Sequence, residues 1–151
     1  MTDHPLTHEE FRSIYSRVPR LCVELVLLTS PVPQKVLLSR RAIEPFIGTW
    51  HLPGGTVQFG ESLIGAVHRV AQRELGITIP WPPKLLGYIE YPSHVRAGID
   101  SPVGVAFQIP AWEYTPRVNH EASEIDWFDA PPKGTHVDQV EFLNRLLDGK
   151  L

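Results

Sequence analysis

The stretch from about Ser62 to Gly76 constrains the chain more than any other, because its length, its apolar face and its stop are all written in its residues. It reads as a helix that ends at Gly76, the residue type that most easily takes the left-handed conformation closing a helix. With each residue advancing about 100 degrees, Leu63, Ile64, Val67, Val70 and Ala71 fall in one apolar sector, and Glu74 falls in the same sector. A carboxylate carried into a core face is costly to desolvate, so it must meet a cation, a metal ion or a strong hydrogen-bond donor. The helix dipole disfavours negative charge in the last turn, so local electrostatics does not account for Glu74. Two readings stand: the side chain reaches solvent or a neighbouring arginine, or it holds a metal ion.

The segments on either side supply strands for this helix to pack on. Thr7 and Glu10 form a capping box, and Phe11, Ile14, Tyr15 and Val18 recur at helical spacing, so a short amphipathic helix opens the chain. Leu21 to Thr29 and Val36 to Arg40 are apolar runs around the proline-bearing Ser30 to Gln34, which predicts a hairpin. Ala42 to Thr49 reads as loop, Trp50 to Leu52 as a short strand, and Pro53-Gly54-Gly55 as a sharp break before Thr56-Val57. That glycine pair is compatible with a plain turn, or with a backbone left bare so that an ion or phosphate can approach.

Beyond the helix, Ile77 to Ile79, Leu85 to Tyr91, Val103 to Ile109 and Ile125 to Phe128 are strand-like, with a polar loop between the second and third. A final helix, about Val137 to Leu147, packs through Val140, Phe142, Leu143, Leu146 and Leu147. Strands and helices mixed in this order predict an α/β (α+β) chain with a mixed sheet. No repeat or linker divides the 151 residues, so one domain is expected.

Composition narrows the partners. A net charge of -3 with no dense basic run argues against a long nucleic acid as main partner, and leaves small anions open. The single cysteine, Cys22, lies in an apolar run and reads as a buried thiol in a reducing compartment. The run around Leu21 to Leu28 is interrupted by Glu24 and too short to cross a bilayer, and MTDHPLTHEE lacks the basic-then-apolar order of a signal peptide. A cytoplasmic protein without a membrane partner is expected.

Taken as a unit, Gly55, five residues, Glu61, seven residues, Arg69, then Glu74 and Gly76-Ile77 resembles the Nudix box of nucleoside diphosphate-X hydrolases. Trp50 to Gly54 upstream and Ile125 to Phe128 downstream resemble further Nudix landmarks, so the likeness runs along nearly the whole chain. It implies a Nudix fold, a mixed sheet sandwiched between helices. Val70 and Arg73 stand where the family usually places metal-binding glutamates, and neither can ligate magnesium, which leaves room for one ion rather than a cluster.

The same losses mark one branch, the GDP-mannose mannosyl hydrolases, which Leu6 to Phe11, Pro19, Glu24, Arg41 and Glu74-Leu75-Gly76 also resemble. That likeness implies magnesium, with manganese as the alternative, held by Gly54 through its carbonyl, Glu74 and Asn119, the last one methylene shorter than the branch's glutamine. It implies His120 as the general base, an imidazole suited to neutral pH, with a loop histidine beside Glu121 as the plainer reading. Arg41 and Arg69 would bind the diphosphate leaving group, though Arg69 can equally pair with Glu61 or Glu74. Glu24 stands where the branch contacts the sugar, and Thr56 replaces an arginine.

The function so implied is hydrolysis of a nucleoside diphosphate sugar by attack at the anomeric carbon, releasing sugar and nucleoside diphosphate, in an enzyme whose relatives are commonly homodimers. Two rivals stay open: cleavage of a phosphoanhydride, in which Glu61 would gain importance, and a non-catalytic module that binds a nucleotide.

Overall fold

The computed structural model describes residues 5–30 and 33–151; Pro31 and Val32 of the proline-bearing Ser30 to Gln34 segment, and the first four residues of MTDHPLTHEE, lie outside them. The elements in order are α1 (His8–Tyr15), β1 (Arg20–Leu27), β2 (Val36–Arg41), β3 (Trp50–His51), β4 (Gly54–Thr56), α2 (Leu63–Leu75), β5 (Lys84–Glu90), α3 (Pro92–Arg96), β6 (Pro102–Ile109), β7 (Ala122–Phe128) and α4 (Val140–Leu147). The strands make a four-stranded sheet, β4-β1-β6-β5, and a three-stranded sheet, β3-β2-β7. The first sheet is mixed, because β1 pairs with β6 in parallel and with β4 antiparallel. No helix among the described residues is long and apolar enough to cross a membrane.

Two apolar layers flank these sheets. β1 alternates across them: Val23, Leu25 and Leu27 pack with Ala66, Val67, Val70, Ala71 and Leu75 of α2, while Val26 joins Phe142, Leu143 and Leu146 of α4. The helices therefore cover opposite faces, which is the expected sandwich. At about 25 cal/mol per Å² of apolar surface, each fully buried leucine contributes roughly 1.5–3 kcal/mol to this arrangement.

Both helix ends read from the sequence are present. Thr7 and Glu10 close the capping box on α1, and Gly76 ends α2 with φ 65. Ser62 caps the start of α2, its side chain accepting from the Gly65 N–H. Ile64, placed above in the apolar sector, is 41% exposed, because the sheet reaches only the side of α2 centred on Ala66, Val67 and Val70.

Five expectations are corrected. β1 and β2 do not form a hairpin: they meet at one bridge, Leu28 with Val36, then diverge into different sheets because β1 is claimed along its length by β6. Gly54-Gly55 is not a break but part of β4, paired with Glu24 and Val23 of β1. Ile77 to Ile79 makes only an isolated bridge, Thr78 with Glu113. The polar loop after Tyr91 holds the helix α3, and the last helix opens with a 3-10 turn, Val137–Gln139, before α4.

The glycines of β4 are there for space. A Cβ on Gly55 would stand 2.9 Å from Val70 Cγ2 of α2, and one on Gly54 would stand 2.6 Å from both the Val23 carbonyl oxygen and Glu24 Oε2. Gly104 on β6 would likewise carry a Cβ 2.4 Å from Glu24 Oε1. Glycines on both neighbouring strands thus make room for one buried carboxylate.

Candidate functional site

A cavity of about 510 Å³ opens between α1, the ends of β1, β2 and β4, the last turns of α2, and the segment around α3. Glu24, Arg41, Gly54, Gly55, Arg69 and Glu74 all line it, although they come from four different elements. Asn119 and His120 do not line it; their neighbour Glu121 does.

Glu74 is turned inward. Its side chain is 14% exposed, with Oε1 2.8 Å from Arg73 Nη1 and Oε2 accepting from Asn119 Nδ2 at 2.8 Å. Burial and the nearby charge of Glu121 push its carboxyl above the ordinary value, against the pull of Arg73, Asn119 and His120. Asn119 spends its amide oxygen on the Glu121 N–H at 2.9 Å, so it reaches Glu74 through its nitrogen. His120 is 80% exposed, with Nε2 3.8 Å from Glu121 Oε1.

The two arginines named from the sequence are both held by protein oxygens. Arg69 donates to both Glu61 oxygens, Nε at 2.7 Å and Nη2 at 2.9 Å, and to the Thr56 carbonyl at 2.8 Å. Glu61 also accepts from the Gln58 N–H, so this pair fixes the loop that leads into α2. The Arg69 reading that pairs it with Glu61 is the observed one. Arg41 donates from Nε to the Pro45 carbonyl at 2.5 Å and from Nη2 to the Glu44 carbonyl at 3.0 Å, anchoring the loop after β2.

Glu24 has the partner that a lone acid in an apolar strand requires. Tyr91 donates its hydroxyl to Glu24 Oε1 at 2.5 Å, Gln139 Nε2 donates to the Tyr91 oxygen at 2.8 Å, and the Leu52 N–H donates to Gln139 Oε1 at 2.8 Å. Burial pushes Glu24 up to about 7, against the pull of Tyr91 and Arg20. The adjoining thiol, Cys22, is pushed by burial to about 11, which removes it as a nucleophile near neutral pH.

Next to this acid lies a second polar chain that sequence reading missed. Arg20 pairs with Asp100 at 2.9 Å, Asp100 Oδ1 is 2.8 Å from His94 Nδ1, and His94 Nε2 is 3.1 Å from His136 Nε2. The Asp138 N–H donates to His136 Nδ1, so His136 must carry its proton on Nε2 and donate it to His94, which donates in turn from Nδ1 to Asp100. Phe46 packs its ring on both imidazoles. Arg73 is the neighbouring arginine that one reading of Glu74 called for; Glu121 was missed, hinted at only by its place beside His120.

The donor set suits one hard divalent ion. Glu74, Glu121 and the backbone of β4 offer oxygen, and Glu74 sits beside a second acid whose charge raises it. No three His, Cys, Asp or Glu side chains among the described residues converge tightly enough to hold a metal by themselves. An ion here would therefore complete its shell with backbone, water and ligand oxygens, as magnesium does when it bridges phosphates.

The NUDIX domain family profile matches residues 19–143. The low-salt glycan biosynthesis protein Agl8 of Haloferax volcanii is 33% identical, over 95% of this chain and 94% of its own. The ADP-ribose pyrophosphatase of Methanocaldococcus jannaschii is 33% identical over 63% of this chain and 54% of its own length. Among solved structures, the MutT NUDIX hydrolase of Burkholderia pseudomallei superposes with a TM-score of 0.73 at 24% identity, covering 87% of this chain and 98% of that one, a likeness of fold.

Proposed function

Since the chain belongs to the NUDIX domain family of hydrolases, we propose that it hydrolyses a nucleoside diphosphate sugar, with magnesium or manganese, by attack at the anomeric carbon. The observation that carries this reading is Glu74, an acid turned into the cavity at the end of α2, beside Glu121 and within a wall that also holds Gly54, Arg41 and Arg69. The relative named for glycan biosynthesis, similar along nearly all of the chain, supports a substrate that carries a sugar.

In this reading Gly54, Glu74 and Asn119 would hold the ion, with Glu121 beside Glu74 as a further oxygen donor; its contribution would be to neutralise charge developing on the departing diphosphate. For Asn119 to ligate directly, its oxygen would have to leave the Glu121 N–H; acting through water needs less rearrangement. Arg41 Nη1 has no hydrogen-bond partner among the described residues, and it is the donor offered to the diphosphate. Arg69 acts by fixing Glu61 and the loop before α2, and adds positive charge to that wall. Glu24, locked by Tyr91 and Gln139, reads sugar hydroxyls at the buried end. His120 is the proposed base for the attacking water, standing beside Glu121 at the edge of the site.

The relative named ADP-ribose pyrophosphatase favours a second reading, cleavage of the phosphoanhydride. Turnover of a panel of nucleoside diphosphate sugars with magnesium in oxygen-18 water separates the two. Label in the released sugar is expected; label in a phosphate product overturns attack at carbon. Glu74→Gln is expected to abolish metal-dependent turnover, and full activity in that variant would remove the basis of the reading. Binding of these nucleotides without turnover of any of them would make the chain a recognition module instead.

A further inference from the structure

Arg73 and Glu74 are adjacent on α2, and adjacent helical residues point about 100 degrees apart, so their side chains do not ordinarily meet. Here they do: Arg73 Nη1 lies 2.8 Å from Glu74 Oε1, while Nη2 donates to Glu121 Oε1 at 3.1 Å. One guanidinium thus clamps two acids that lie on different segments, both of them in the cavity wall. Its own side chain is 25% exposed, so the clamp faces the cavity rather than the core.

The oxygens that Arg73 covers are those that a divalent ion would take. A guanidinium keeps its proton at any working pH, so it cannot yield this place by becoming neutral; it has to move. Arg41 and Arg69 are tied to carbonyls and to Glu61, groups with no part in holding an ion, whereas Arg73 is held by the very acids the ion would claim. Charge makes the consequence definite. Glu74, Glu121 and Arg73 together carry one negative charge; a divalent ion turns that into one positive charge; a doubly charged diphosphate restores the negative sign.

We propose that Arg73 is the resident counter-ion of the Glu74–Glu121 pair, that a divalent ion displaces it, and that the displaced guanidinium is received by the substrate's diphosphate. Metal and diphosphate then each strengthen the binding of the other, by the same factor in both directions. The inference rests on the reading of Glu74 as a metal ligand, and it adds a specific reason why an arginine can occupy this position of the box.

The test is Mn2+ binding to the full chain, followed by electron paramagnetic resonance of the free ion, in the unmodified protein, Arg73→Gln, Arg73→Lys and Glu74→Gln. With Mn2+ alone, Arg73→Gln is expected to bind about tenfold more tightly than the unmodified protein, within the usual range of coupling between sites. Methylene diphosphonate, with its own chelation of Mn2+ subtracted, is expected to tighten Mn2+ in the unmodified protein and to do so far less in Arg73→Gln.

Arg73→Lys keeps the charge but, as a point donor, cannot bridge both acids through separate nitrogens, so it should bind Mn2+ with intermediate strength. It decides the matter if Arg73→Gln fails to fold by circular dichroism. Equal or weaker Mn2+ binding in the Arg73 variants overturns the clamp while leaving Glu74 as a ligand. Undiminished Mn2+ binding in Glu74→Gln, or no Mn2+ binding in any of the four proteins, overturns the metal reading and the clamp together.

Discussion

At the residue scale the site is built on exclusions of side chain as much as on side chains present. Gly55 has no Cβ because Val70 of α2 fills that space, so Gly55→Ala is an overpacking change. It should cost about 1–3 kcal/mol by urea denaturation, and Val70→Ala in the same chain should return part of that loss; an additive double variant would show that the contact is not the cause. Tyr91→Phe removes a donor from Glu24 and an acceptor from Gln139 at once, in a place where neither finds water readily. A loss of roughly 1–3 kcal/mol is expected for leaving such groups unsatisfied. Under the proposed reading kcat/KM for the nucleotide sugar falls as well, and unchanged kinetics would remove Glu24 from the sugar site.

At the scale of elements, α2 is the part whose ends and inner face follow from local rules, and its cap can be tested in isolation. Ser62→Ala removes the acceptor of the Gly65 N–H and should lower stability by about 1 kcal/mol with no change in KM. Thermal unfolding alongside steady-state kinetics checks both halves of that statement. The divergence of β1 from β2 shows what local rules miss. Two apolar runs joined by a short turn look the same whether they pair with each other or part after one bridge. The choice was made by β6, which lies parallel to β1 although it spans Pro102–Ile109, beyond α2 and β5 in the sequence.

Across the whole molecule, Arg20, Asp100, His94 and His136 tie β1 to the segments around α3 and α4 through a single polar chain. Burial alone would push the Asp100 carboxyl up, but the hydrogen bond from His94 and the charge of Arg20 outweigh it and hold the group below its ordinary value. A carboxyl lowered in the folded state binds its proton more readily when unfolded. Its stabilisation is therefore complete above the ordinary value, near about pH 4, and is lost as pH falls through the folded value. Melting temperatures measured between neutral pH and about pH 3 should drop less steeply below about pH 4 in Asp100→Asn than in the unmodified protein. Parallel curves would assign the acid sensitivity to other groups.

The sequence alone determined what depends on neighbours along the chain: the α1 capping box, the span and stop of α2, the strands at Leu85 to Tyr91 and Val103 to Ile109, and the anomaly of an acid at position 74. These are legible because helix periodicity, capping and alternation act over a few residues. Only tertiary structure decided that Glu24 meets Tyr91, that Arg69 is spent on Glu61, that Arg73 bridges Glu74 to Glu121, and that His120 stands outside the cavity wall that its neighbour reaches. Those outcomes depend on which side chains converge from distant segments, and on which charge finds its counter-charge first, and no short-range pattern carries that information.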